Sequence, residues 1–385
     1  MSFRILSLDG GGTWALLEAM ALEDLYPGYT GHQILRQFDL AVANSGGSIV
    51  LAGLMLDMSP TTIRSFFEDQ TKRDSIFYKK PFEPIMAALP IPIPRYVAAQ
   101  KRIGLGNAFG APGNTRLADW PNIPGWPRGP CGQPVRILIM AFDYDRQRED
   151  FLRSYKIDGT GAEAEPVALV DAVHASTNAP VLYFDGPALV SPKRYWDGAM
   201  GGYNNPVMAG VVDAIALNFQ PSSIAALTLG TGTVRLAPAD MVTPATPHSL
   251  YQPLSTSELF GDAKLAAGCI TDDPPDAATF VTHIVLGNKP SEVGRVIRMS
   301  PVIQPVINGA GEWDFPPGLP QLLFDPLSKL GMDAVEPQDV NLLQQLGQAW
   351  LTDDVSNQPI RMGDDLSCQL GHPKYSMAKA AWKAI

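Results

Sequence analysis

Ser45 stands in Ala43-Asn44-Ser45-Gly46-Gly47, between the apolar run Phe38 to Ala43 and the almost wholly apolar run Ser48 to Met58. A buried strand, a tight turn of small residues and a buried helix, in that order, form a nucleophile elbow that presents a serine at the end of the strand. Glycines flank such a serine because strand and helix pass too close for side chains. Here Gly46 and Gly47 follow it, and Ala43 fills the earlier position with one methyl group more than glycine. The chemistry on offer is nucleophilic attack, which needs a second group to take the hydroxyl proton. On this motif alone, a plain turn that merely connects two elements is the competing reading.

A second glycine turn, Asp9-Gly10-Gly11-Gly12, ends the strand-like run Ile5 to Leu8 and opens a helical pattern from Trp14 to Tyr26. Its bare N–H groups would point above the edge of a sheet, where they suit a developing oxyanion or a phosphate. A dinucleotide fingerprint fails because Ala15 occupies the last glycine position and bulky Trp14 precedes it, and no Gly-Lys-Ser/Thr marks a P-loop. Two glycine turns at the same edge of one sheet face one crevice.

The proton acceptor is less clearly marked. An ordinary α/β-hydrolase places an acid and then a late histidine after the serine, and His248, His283 and His372 satisfy that order. His32 and His174 fall in no triad pattern, and His174 on a short helix reads as a packed histidine. Asp197, in Arg194-Tyr195-Trp196-Asp197-Gly198-Ala199, is delivered by an aromatic strand end into a glycine turn. Apolar neighbours raise a carboxyl's pKa and its basicity. Asp-Gly is also a common turn dipeptide.

These residues need elements to hold them. Ile5 to Leu8, Phe38 to Ala43, Val135 to Met140 and Ala225 to Leu229 read as buried strands, while Trp14 to Tyr26, Ser48 to Met58 and Val167 to Ser176 read as helices. Ser59-Pro60 reads as an N-cap followed by proline at the first helical position. Repeated strand, glycine turn and apolar helix predict an α/β fold with a mostly parallel central sheet flanked by helices on both faces. We expect a single domain over 1–385 with its motif-bearing core at about 3–233. Residues 79–134, rich in Pro and Gly, read as an insertion or lid, and 234–385 as C-terminal loops and helices flanking the core. Within that last stretch Thr271 to Asp276 reads as a loop, and Asp339 to Leu351 and Ser376 to Lys383 as helices.

Hydrophobic residues make up 45% of the 385, enough for a sizeable core. Lys and Arg number 29 against 39 Asp and Glu, a formal charge of −10, so no nucleic-acid partner is expected. That sign leaves lipid contact to a local apolar surface. The Ile85 to Ile93 run reads as core packing ahead of a lipid-facing lid. Cys131, Cys269 and Cys368 are odd in number and in no CxxC spacing, which fits a reduced compartment. The N-terminus leaves no room for a signal peptide, and no apolar run reaches the roughly 18 residues of a membrane span. A cytoplasmic protein is the expectation, with secretion by a signal-less route left open. The acidic pairs Asp272-Asp273, Asp353-Asp354 and Asp364-Asp365 read as solvated loops ahead of a calcium site, and no metal is assigned.

In chain order over residues 3 to 233, these pieces resemble the patatin-like phospholipase family. Asp9-Gly10-Gly11-Gly12 is similar to its oxyanion loop, Phe38 to Gly47 to its nucleophile strand and elbow, and Asp197-Gly198-Ala199 to its D-G-A/G motif. Ala172 to Phe184 resembles the helix and turn before that motif, and Thr228-Leu229-Gly230-Thr231-Gly232 the later L-G-T-G turn. The resemblance implies a three-layer fold and a Ser–Asp dyad without histidine. Ser45 is then the nucleophile, Asp197 the base, and Gly10, Gly11 and Gly12 the oxyanion donors. It also implies phospholipid or related glycerolipid acyl esters as substrates, an acyl-enzyme resolved by water, no required cofactor, and compatibility with peripheral membrane contact. Oligomeric state is unassigned. An acyltransferase on the same dyad and a catalytically weak lipid-binding relative are the alternatives. The chain departs from the pattern at Ala43 and at Trp14-Ala15, where the family commonly has glycine, and a basic residue followed by glycine.

Overall fold

The computed structural model describes residues 2–79, 94–180, 183–190, 192–232, 274–289, 292–303, 306–307, 313–316, 318–358, 360–361 and 369–385. The Ile85 to Ile93 run, His248, Asp272-Asp273, Asp364-Asp365, Cys269 and Cys368 lie outside the described residues.

Eight strands form the main sheet: β1 Phe3–Leu8, β2 Leu40–Ala43, β3 Arg136–Asp143, β4 Arg148–Arg153, β5 Ala188–Val190, β6 Lys193–Asp197, β7 Ile224–Leu229 and β8 Val296–Met299. They hydrogen-bond in the order 5-6-3-2-1-7-8, with strand 4 also on strand 3. The helices are α1 Leu16–Leu25, α2 Gly31–Leu35, α3 Ser45–Met55, α4 Pro60–Glu68, α5 Gln70–Ile76, α6 Ala98–Phe109, α7 Leu169–Ser176, α8 Val207–Ala216, α9 Pro274–Val285, α10 Gln321–Leu327, α11 Pro337–Leu351 and α12 Tyr375–Lys383.

The five strands β3, β2, β1, β7 and β8 run parallel, and β4, β5 and β6 add antiparallel pairings at one side. Both faces are covered. Leu6 and Leu8 of β1 point into one core with α1, α3, α7 and α11. Phe3 and Ile5, one step out of phase, point into a second core with α8. That alternation explains why the central strands read as continuous apolar runs: each residue is buried on one face or the other. Helix α3 is buried at all eleven positions, so its apolar surface turns nowhere to solvent. Helix α4 begins as expected, with the Ser59 side chain accepting the Thr62 N–H and Pro60 in the first turn.

The pairing of β3 decides where the chemistry sits. Its residues 136–139 pair with β2 in parallel, and 141–143 pair with β6 antiparallel. Strand β4 runs along 138–143, overlapping both, so β2 and β6 share the other edge of β3. Ala43 is registered at Ile139 and Asp197 at Ala141. The C-terminal ends of β2 and β6 therefore meet head to head, two β3 residues apart.

Two features of the C-terminal region differ from the sequence reading. Residues 234–385 were expected to supply loops and helices only, yet Val296–Met299 joins the sheet as β8. Arg298 in its middle breaks the apolar run that marks the other central strands. Pro274, Pro275 and Asp276, expected in a loop, open α9; prolines fit a first helical turn because its N–H groups have no intrahelical acceptor.

Candidate active site

Ser45 begins α3 with φ +47°, the left-handed region that non-glycine residues seldom occupy, and is 6% exposed. The elbow's backbone tension thus falls on the serine itself. Ala43 sits in regular β2 pairing and is fully buried, so its methyl is accommodated inside the strand. Gly46 has no such room, because a Cβ there would collide with the Gly12 carbonyl and approach the Ala15 methyl. A Cβ on Gly47 would lie 2.6 Å from the Asp9 carbonyl oxygen. The Ser45 N–H donates to Ser176 Oγ at 2.9 Å, and Ser176 Oγ lies 3.4 Å from Asn44 Oδ1.

Asp197 closes β6 and is 3% exposed. Its N–H donates to the Asn178 carbonyl at 3.0 Å. Asn44 Nδ2 donates to its Oδ1 at 3.0 Å, and the Ala199 N–H donates to the same oxygen at 2.9 Å. Burial raises the Asp197 pKa; the Ser45 hydroxyl, the Ala199 N–H, the Asn44 amide and the charge of Lys101 act in the opposite sense. Gly198 is required next to it, since a Cβ would meet Asn44 Oδ1 at 2.5 Å and Glu149 Oε1 at 2.6 Å.

The glycine loop lies over the elbow. Gly12 has φ +59°, and the loop is braced by the Thr231 hydroxyl, which donates to the Gly10 carbonyl at 2.8 Å. Gly10 donates its N–H to the Asn204 carbonyl at 2.7 Å. Among the described residues the N–H groups of Gly11, Gly12 and Gly46 have no acceptor. The Thr13 N–H and hydroxyl both reach the Met332 carbonyl, at 2.9 and 3.0 Å, and Trp14 Nε1 donates to the Gly331 carbonyl at 2.9 Å. Trp14 therefore fastens a distant segment where the family pattern places a basic residue. The positive charge near the loop comes from β8: Arg298 pairs with Asp9 at 2.7 Å, both side chains about 4% exposed or less. Glu18 accepts the Asp9 N–H at 2.6 Å, and burial first, then Asp9, pushes its carboxyl well above the usual range.

Ser45, Gly12 and Gly46 line a cavity of about 20 Å³ together with Ile49, Ile76, Phe77, Lys101, Thr177, Ala179, Tyr183, Phe184 and Met332. That is room for about one water, not for an acyl chain. Lys101, in α6, is fully buried. Segment 79–134 thus reaches into the site, although nothing in its weak periodicity singled Lys101 out. Ser176, Asn178 and Asn204 were also missed, since each matters only through a tertiary contact.

None of the four described histidines hydrogen-bonds Ser45 or Asp197. His32 and His283 bond the carbonyls of Met55 and Lys289. His174 is buried, and desolvation followed by the charges of Lys101 and Arg102 lowers its pKa to about 2. Asp353 accepts the Ser376 N–H at 3.0 Å. Among the described residues no group of three or more His, Cys, Asp or Glu is placed to hold a metal ion, and no helix is long and apolar enough to cross a membrane.

A mostly parallel sheet covered on both faces, with an elbow serine at the C-terminal end of a central strand, defines the class: an α/β protein of the kind that carries acyl hydrolases. The chain belongs to the patatin-like phospholipase family, whose model matches residues 6–211. That family is one of lipid acyl hydrolases. No curated protein matches the chain. Among solved structures, VipD from Legionella pneumophila is similar over 90% of this chain and 67% of its own, at 12% identity and a TM-score of 0.35.

Proposed function

We propose that the chain hydrolyses carboxylic ester bonds of phospholipids or related glycerolipids, with Ser45 as nucleophile and Asp197 as its base. The observation that carries this reading is the head-to-head meeting of β2 and β6, which brings a serine at φ +47° to a buried carboxylate. Two donors already hold Asp197 Oδ1, which leaves Oδ2 for the serine proton. In the first step the Ser45 oxygen attacks the ester carbonyl, its proton passes to Asp197, and the alcohol leaves with that proton. Water then repeats the sequence on the acyl-enzyme and releases the acid.

The oxyanion is assigned to the unpaired N–H groups of Gly11, Gly12 and Gly46; Gly10 is committed to Asn204. Free aspartate has a pKa of about 3.9 and is a modest base. Donors of this type contribute roughly 3 kcal/mol each and supply much of the rate. The decisive experiment is labelling of the folded protein with a fluorophosphonate. An adduct on Ser45, absent from Asp197→Asn, is expected; no adduct on Ser45 sinks the reading.

A further inference from the structure

Lys101 Nζ lies 3.0 Å from each of three acceptors: the His174 carbonyl, Thr177 Oγ1 and Asn178 Oδ1. None of the three has a hydrogen to give in return. The His174 group is a carbonyl, the Asn178 group is its amide oxygen, and the Thr177 hydroxyl hydrogen is already donated to the Val173 carbonyl at 2.8 Å. A neutral amine has two hydrogens and a lone pair, so it would turn that lone pair on one of these oxygens. An ammonium satisfies all three. The nitrogen also lies 4.2 Å from the centre of the Phe184 ring, whose face favours a cation.

The three acceptors belong to one short turn, and that turn holds both proposed catalytic residues. Asn178 takes the Asp197 N–H on its carbonyl, and Ser176 takes the Ser45 N–H on its hydroxyl. We infer that Lys101 is a positioning residue of the proposed dyad: its ammonium pins the 174–178 turn that sets Asp197 against Ser45, and it is the fixed counter-charge that keeps Asp197 ionised. This rests on the Ser45–Asp197 reading. Burial draws the Lys101 pKa well below the ordinary lysine range, and Asp197 is the charge that opposes it; the three hydrogen-free acceptors are what call for the ammonium. The effect is reciprocal, since Lys101 favours the carboxylate form of Asp197.

Few other charges face Asp197. From β4, Glu149 is neutral at ordinary pH, because burial and then Asp197 itself push its carboxyl to about 10. His174, on α7, is uncharged. Beneath the glycine loop, Asp9 is paired with Arg298. The acid limb of kcat/KM therefore reports Asp197 as tuned by Lys101.

The test compares pH profiles of full-length wild type, Lys101→Met and Asp197→Asn on a short-chain p-nitrophenyl ester. In Lys101→Met the acid limb is expected to move up by one pH unit or more, with activity recovering toward the alkaline side. A uniform fall at every pH, or an unmoved limb, overturns the inference while Asp197→Asn is inactive. A wild-type rate in Asp197→Asn overturns the dyad reading and the inference with it. Should Lys101→Met fail to fold, ζ-15N-lysine NMR of the wild type decides: a buried ammonium signal persisting at pH 7 supports the assignment, and a neutral amine there overturns it.

Discussion

Asn44 and Asp197 stand 153 positions apart, yet the side-chain amide of one donates to the carboxylate of the other at 3.0 Å. The residue preceding the proposed nucleophile is thus a clamp on its proposed base. The same side chain meets Ser176, which holds the Ser45 N–H. Strand end, elbow and partner strand form one buried hydrogen-bond network around the serine.

Removing that clamp should be costly. A hydrogen bond to a charged group contributes about 1.5–3 kcal/mol, so Asn44→Leu is expected to lower kcat/KM by roughly 10- to 150-fold. Steady-state kinetics on a soluble ester, with circular dichroism as the folding control, checks it. A wild-type rate would show that Asn44 is only a core filler.

Glu149 offers a pH-dependent stability test. Among the described residues its two buried carboxyl oxygens have no hydrogen-bond partner, and its pKa is pushed from 4.5 to about 10. A folded-state pKa above the unfolded one means that the stability it contributes is complete below about 4.5 and is lost as pH rises toward 10. Glu149→Gln removes that loss. Its Tm should pull ahead of the wild type's steadily across this window, and parallel curves would contradict the assignment.

Arg298 and Asp9 form a buried pair, and taking away one member strands the other's charge. Breaking such a pair costs about 3–5 kcal/mol. Arg298→Met is expected to lower the unfolding free energy from urea titration by an amount of that order, with a lower midpoint, and Asp9→Asn combined with it to recover part of the loss. Equal midpoints for wild type and Arg298→Met would rule the pair out as a support of the loop.

The cavity predicts a change in chain-length preference. Met332 walls a space that admits about one water, so some lining side chain has to move for an acyl group to enter. Met332→Ala should raise kcat/KM more for octanoyl than for butyryl esters. An identical ratio in both proteins would place the acyl path elsewhere.

Replacing His32, His174, His283 or His372 should leave fluorophosphonate labelling of Ser45 intact. Among the described residues none of them hydrogen-bonds the serine or the aspartate through its ring. Loss of labelling in a folded variant of any one would revive a histidine triad.

The two glycine turns and the elbow were legible because strand, turn and helix succeed one another locally, and close packing at Gly46 and Gly47 leaves its mark as residue type. The Asp197 turn was legible only through the order of motifs around it. Lys101, Ser176 and Asn178 carried no local mark, since their roles come from contacts across α6, α7 and β6. Arg298 hid a strand by interrupting its apolar run, and the paired prolines at 274 and 275 disguised a helix start as a loop. Where a residue's neighbours in sequence are also its neighbours in space, its task could be read; where a buried polar group joins distant elements, it could not.

The tie between Thr13–Trp14 and Gly331–Met332 spans 317 to 319 positions. A ribosome delivers the glycine turn, Ser45 and Asp197 long before Met332 emerges. A nascent chain halted near residue 232 holds the entire proposed dyad but lacks both the carbonyls that fix Thr13 and Trp14 and the guanidinium that neutralises Asp9. The shaping of the glycine turn thereby waits for residues made well after the proposed dyad, and a chain cut short before them carries the proposed reacting groups without that brace.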